Sequence, residues 1–227
     1  MYALGQLPLE RRALLDDLYF AVMHGVRERL RAEERSHRSI IDELDGRQVD
    51  KYFVNFSVFE SVPDVWAIDQ VFPIMPIARL DQRPTRRGII ADLTCDSDGQ
   101  IDHYVDNGDI DTALPLHAPL PGEQYLIGLF MVGAYQDTLG DIHNLFGDTC
   151  AVNVQIVDDG YRFERSRLGD TSDVILDYVG YELGQLRAQY RGMIDAAGVD
   201  ADEAARLTAA LETGLTGYTY LEAGATD

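Results

Sequence analysis

Apolar positions along the chain change their period twice. In residues 9–35, Leu14, Leu15, Leu18, Val22 and Val26 recur near helical spacing while Glu28, Arg29, Arg31, Glu33 and Glu34 form a charged face, which predicts an amphipathic helix. Pro8 precedes it, where a proline suits a helix start. A second helical run begins near Ser39 and ends at the Asp45-Gly46 signal or breaks and continues toward Asp50. From Tyr52 the grammar is that of strands. Residues 52–59 alternate and are rich in aromatic and β-branched side chains. After a connection through Pro63 and residues 66–70, residues 72–80 read as an edge strand or strand entry, because Pro73 and Pro76 cannot donate to a ladder. Residues 83–87 read as a turn, 88–93 as a strand, and 103–105 as another strand before an Asn107-Gly108 turn. Residues 113–122, with three prolines, are loop or edge. The most apolar run, residues 125–132, is expected to be the central strand. Asp158-Asp159-Gly160 between residues 149–157 and 161–167 predicts a hairpin.

From Thr171 the helical period returns. Thr171 or Ser172 can cap, and Val174, Leu176 and Val179 are candidates for the buried side. Residues 183–196 and 200–214 follow, the latter with Asp200, Asp202 and Glu203 where the helix dipole favours acids. Residues 218–222 are expected to dock and 223–227 to fray. The predicted fold class is therefore α+β: a helical segment over 1–50, a β-barrel or sandwich over 51–168, and a C-terminal helical bundle over 169–227.

Composition narrows the function. A content of 46% hydrophobic and 26% charged residues is that of a globular chain, and no apolar run is long enough for a membrane span or a signal peptide. The cytoplasm is the expected location. The net charge of −20 argues against nucleic acid, whose phosphates must be neutralised, and suits a cationic small molecule. Two cysteines make no disulfide framework, and the five histidines are scattered without metal spacing. Of the nineteen basic residues only Lys51 is a lysine, so an imine-forming amine has a single candidate.

Candidate chemistry gathers at Asp92-Leu93-Thr94-Cys95-Asp96-Ser97-Asp98-Gly99. A cysteine among acids at the mouth of a strand is unlike a buried structural thiol. The arrangement suits a thiol that moves a proton while carboxylates hold a cation. Gly133-Ala134-Tyr135 ends another predicted strand: its small residues permit close approach to the backbone and Tyr135 presents a phenol.

These residues resemble a known family. Cys95-Asp96-Ser97-Asp98-Gly99 with Gly133-Ala134-Tyr135-Gln136 is similar to the C-terminal domain of pyridoxal-phosphate decarboxylases that join an alanine-racemase-like barrel to a β-domain. Residues 51–59, 63–70, 72–76, 84–87, 143–148 and 217–222 more narrowly resemble the bacterial biosynthetic arginine decarboxylases, so the likeness covers nearly the whole chain. The resemblance implies decarboxylation of L-arginine to agmatine in polyamine (spermidine) synthesis, with pyridoxal 5'-phosphate as cofactor. It implies Cys95 as the thiol handling the proton at the substrate carbon and Asp96 against the guanidinium, with Asp98 as a second candidate. It implies Tyr135 as a donor to the cofactor phosphate. The family is also associated with Mg2+, for which no ligands stand out. Its cofactor lysine and phosphate glycines lie in an N-terminal (β/α)8 barrel, and this chain has no such barrel, which needs about 250 residues. Lys51 stands at a structural position and is no substitute. The resemblance thus implies a chain that is inactive alone and needs the barrel domain as partner, within a homo-oligomer whose site forms between subunits. The alternative is a non-catalytic regulatory partner of a full-length decarboxylase.

Overall fold

The structure, a computed structural model, describes residues 2–31, 33–106 and 108–222. The helices in chain order are α1 (Leu9–Arg27), α2 (Arg35–Arg47), α3 (Val58–Ser61), α4 (Pro63–Ile68), α5 (Gln136–Leu139), α6 (Ser172–Tyr178), α7 (Leu183–Ala197) and α8 (Ala201–Leu215). The strands are β1 (Asp50–Phe53), β2 (Ile74–Pro76), β3 (Arg86–Ala91), β4 (Gln100–Ile101), β5 (Tyr104–Asp106), β6 (Asp109–Asp111), β7 (Leu114–Leu116), β8 (Ile127–Leu129), β9 (Ala151–Val157) and β10 (Gly160–Arg167). They form two compact units, Met1–Tyr52 with Pro73–Ile89 and Asp102–Leu129, and Phe53–Phe72 with Ile90–Ile101 and Phe130–Asp227. The fold is α+β. Its strands pair in short ladders, and no closed barrel forms among the described residues.

In the first unit, α1 stops at Arg27, short of the expected residue 35, and the chain turns through Glu28 and Leu30 into α2. The Arg31 amide donates to His37 Nδ1 at 3.1 Å across this turn. A two-pronged contact from Arg27 to Asp45, 2.6 and 3.1 Å, ties the helices together. Only Met23 of α1 is buried; Leu14, Leu15, Leu18, Val22 and Val26 are exposed. At its start β3 pairs antiparallel with β7, Arg87 opposite Pro115, and β2 pairs with β8. Gly88 is required by this packing, because a Cβ there would stand 2.5 Å from the Tyr52 ring and 2.8 Å from Leu116. His117 is a packing residue. Its Nε2 lies 3.0 Å from the Gln82 carbonyl, which can only accept, so Nδ1 accepts from the Tyr125 hydroxyl at 2.8 Å.

In the second unit the end of β3 pairs with β4, Ile90 opposite Ile101. Val58, Phe59, Val62, Ile90, Ile101, Ile175, Leu215 and Tyr220 are among its buried side chains. The predicted hairpin forms as β9–β10, with Ile156 opposite Tyr161 and Val154 opposite Phe163, and stands exposed along both strands. Among the C-terminal helices, Asp200 caps α8 by accepting from the Glu203 amide at 2.9 Å, and Arg187 of α7 binds Glu212 of α8. The tail docks as expected: Asn55 exchanges two hydrogen bonds with the Leu221 backbone, and the Tyr220 hydroxyl donates to the Gly147 carbonyl at 2.8 Å.

Three further expectations are corrected. Val174 and Val179, expected on the buried side, are exposed, and Ile175 is the buried residue of α6. Residues 52–59 do not continue as a strand beyond Phe53, because Ser57 caps α3 and Val58 turns into that helix. Residues 125–132 give only the three-residue strand β8 on β2, with Leu126, Phe130 and Met131 exposed, so this run is not a buried central strand. The expected turn at Asn107 and the expected frayed tail at 223–227 lie outside the described residues.

Candidate active site

The candidate loop is built on Asp92, which directly follows β3 and is 2% exposed. Its Oδ2 accepts from the Val58 amide at 2.9 Å, the first helical residue of α3, so the carboxylate meets the N-terminus of that turn. Its Oδ1 accepts from the amide and the hydroxyl of Thr94, each at 2.8 Å. The Asp92 amide donates to the Gly99 carbonyl at 2.8 Å and closes the loop. Gly99 is required because a Cβ there would lie 2.3 Å from Asp92 Oδ1 and 2.5 Å from Thr94 Oγ1. Asp92 is therefore a pin beneath the loop, and its carboxylate is not available to a cation.

Cys95, Asp96, Ser97 and Asp98 form the exposed crest. Asp96 Oδ1 accepts from the Asp98 amide at 2.9 Å, the local turn that aspartate favours. The other oxygen lies 3.5 Å from His143 Nε2. The Cys95 amide donates to Asn144 Oδ1 at 3.0 Å. The His143 ring lies over Phe59, with centroids 4.4 Å apart, and the Asp141 amide donates to the Phe59 carbonyl at 3.0 Å. Tyr135 stands at the N-cap of α5 and is 55% exposed. The backbone beside it is open, since a Cβ on Gly133 would meet nothing within 4 Å. Helix α5 packs on α3 and α4. Both the cysteine loop and the tyrosine segment are thus referred to α3, and Cys95, Asp96 and Asp98 share one loop.

Beside α3 lies an acidic group. Burial, followed by a hydrogen bond and repulsion from Asp148 and repulsion from Asp170 and Asp141, pushes the Glu60 carboxyl up to about 7. Arg167 contacts Asp148 at 2.5 Å. Burial, with Glu60 nearby, raises the Tyr220 phenol above its ordinary range.

The Cys95 loop offers a thiol and carboxylates, and Tyr135, on a separate segment of the same unit, an exposed phenol, but neither offers an amine: Lys51, the chain's single lysine, is an exposed residue of β1 in the first unit. Such a donor set fits one wall of a pyridoxal-phosphate site and contains no group for its covalent anchor. Among the described residues no group of three or more His, Cys, Asp or Glu is placed to hold a metal ion. No described helix is long and apolar enough to cross a membrane.

Sequence reasoning singled out Cys95, Asp96, Asp98 and Tyr135 but gave no sign of the contacts of Asn144 and Glu60. Asn144 is 49 residues from Cys95, and no local pattern announces their contact.

Both ends of the chain carry the marks of arginine decarboxylases. Residues 1–45 match the arginine decarboxylase helical bundle domain, and residues 173–221 match the arginine decarboxylase C-terminal helical extension. The chain as a whole resembles the C-terminal portion of the bacterial biosynthetic arginine decarboxylases. It is 64% identical over 220 residues to the biosynthetic arginine decarboxylase of Xanthomonas axonopodis pv. citri, covering 97% of this chain and 35% of that protein. The biosynthetic arginine decarboxylase of Pseudomonas putida is 48% identical over 221 residues, again 97% of this chain and 35% of the relative. The crystal structure of the biosynthetic arginine decarboxylase SpeA from Campylobacter jejuni, 31% identical, aligns with a TM-score of 0.70 over 92% of this chain and 36% of that one. The chain spans about a third of the length of the curated relatives it matches.

Proposed function

We propose that this chain supplies one wall of a pyridoxal-phosphate arginine decarboxylase site, which forms agmatine and carbon dioxide for polyamine synthesis. The observation that carries the reading is the exposed Cys95-Asp96 crest, held over a buried Asp92 pin in a chain similar to arginine decarboxylases along 97% of its length. A barrel domain with its own lysine would hold pyridoxal phosphate, which when bound would supply the electron sink for the pair left as carbon dioxide departs. Cys95 gives its proton to the substrate carbon that has lost carbon dioxide: the S–H bond breaks, a C–H bond forms, and solvent reprotonates the thiolate. Asp96 faces the guanidinium, where two ionised partners make a stronger contact than neutral ones, and Asp98 is the second candidate. Tyr135 donates its phenol to the cofactor phosphate.

Residues 1–50 serve as the helical segment, 51–168 as the β-domain and 169–227 as the C-terminal helices. The short ladders around β3 belong to the barrel or sandwich of that β-domain. The working site is completed by a barrel-bearing partner in a homo-oligomer in the cytoplasm, and the chain alone is inactive. The test is agmatine formation after mixing this chain with the separately expressed N-terminal portion of the Xanthomonas axonopodis relative. Agmatine from the mixture, none from either part, and a large loss with Cys95→Ala are expected. Agmatine made by this chain alone, or by the mixture equally well with Cys95→Ala, would refute the assignment.

A further inference from the structure

We propose that Asn144 is a positioning residue for Cys95, a role that rests on the reading of Cys95 as the proton-handling thiol. Asp92 secures the base of the loop through Val58 and Thr94, but Cys95 lies beyond that pin on the exposed crest. Among the described residues, the hydrogen bond that reaches Cys95 itself from elsewhere in the chain is the 3.0 Å bond from its amide to Asn144 Oδ1.

Three features make Asn144 a fixed point. Its backbone is left-handed, φ 55° and ψ 26°, and asparagine enters that region more readily than most side chains. Its neighbour His143 lies over the Phe59 ring and brings Nε2 to 3.5 Å from Asp96 Oδ2, so two consecutive residues meet two consecutive residues of the loop. The same segment is bonded to α3 through the Asp141 amide and the Phe59 carbonyl, and Asp92 holds the first residue of α3. Loop and corner therefore share one base, and the Asn144 amide sets where the Cys95 backbone stands above it.

The consequence is chemical. Loss of carbon dioxide does not need the thiol, but delivery of the proton to the correct carbon does, and a displacement of about 1 Å is enough to matter. With Cys95 misplaced, the proton reaches that carbon less often and is taken up at another atom that shares the electron pair, so less agmatine forms for each carbon dioxide released.

Asn144→Gly keeps the left-handed backbone and removes the acceptor, whereas Asn144→Asp keeps an acceptor. Amide hydrogen exchange at Cys95 in this chain, and agmatine formed per carbon dioxide in the mixture with the N-terminal portion of the Xanthomonas axonopodis relative, are the readouts. Asn144→Gly is expected to speed exchange at Cys95 by about tenfold and to lower the ratio, and Asn144→Asp to restore both. If circular dichroism shows that the glycine variant does not fold, Asn144→Ser, whose shorter side chain withdraws the acceptor, takes its place. Unchanged exchange at Cys95 overturns the proposal. So does an unchanged ratio with Asn144→Gly while Cys95→Ala lowers it, and in that case the decarboxylase reading stands. A ratio unmoved by Cys95→Ala removes the catalytic reading and the positioning role with it, whatever the exchange result.

Discussion

At the scale of single residues, the geometry of the loop rests on groups beneath its exposed crest. Asp92 satisfies three donors, and Gly99 leaves room for it to do so. Gly99→Ala is expected to destabilise the chain by about 1–3 kcal/mol through overpacking, read as a lower urea midpoint at unchanged slope. Glu60 gives a second expectation. In the folded chain its carboxyl holds its proton to about pH 7, whereas the unfolded chain releases it near the ordinary value of 4.5. The contribution of this group is fully favourable below about 4.5 and is lost as pH rises through about 7. Glu60→Gln should therefore leave stability unchanged at pH 4 and raise it at pH 8, by about 1 kcal/mol after allowing for partial solvent screening. Denaturant titrations at the two pH values check this, and a variant less stable than the parent at pH 8 would contradict it. The grouping of Cys95, Asp96 and Asp98 on one loop could be read from the sequence because they are consecutive or nearly so. The contacts of Asn144 and Glu60 could not, because long-range packing brings them to their partners.

At the scale of elements, legibility followed how local the determinants are. The β9–β10 hairpin carries its own turn in Asp158-Asp159, and α8 carries its own cap in Asp200, and both formed where the residues indicated. Asp200→Ala is expected to cost about 1 kcal/mol by removing that cap, seen as a lower thermal midpoint with reduced helical signal. The stretch from Tyr52 to Phe59 misled because its strand pattern is overruled at Ser57, where a local cap acts together with a carboxylate 34 residues away from Val58. Residues 125–132 misled for a different reason. An apolar run reads as a buried strand, yet Leu126 and Met131 are exposed, and periodicity alone cannot say what covers an apolar face.

At the scale of the whole molecule, charge and completeness dominate. A net charge of −20 on 227 residues implies strong self-repulsion, so added salt is expected to raise the thermal midpoint as the repulsion is screened. A midpoint that falls between low and moderate salt would show that the exposed ion pairs outweigh the repulsion. The α+β class and the helices at both ends were legible from periodicity, but the grouping into two compact units was not, since the units interleave along the chain. The half-site proposal came from the lysine count: a thiol, carboxylates and a phenol stand in a unit that has no lysine. The most direct measurement is agmatine formation by a chimera in which this chain replaces the C-terminal portion of the Xanthomonas axonopodis relative, to which it is 64% identical. The chimera is expected to decarboxylate arginine and to lose about a hundredfold or more in agmatine formation with Cys95→Ala, the range for removing a positioned proton donor. A folded chimera that forms no agmatine, or one indifferent to Cys95→Ala, would contradict the assignment of this loop.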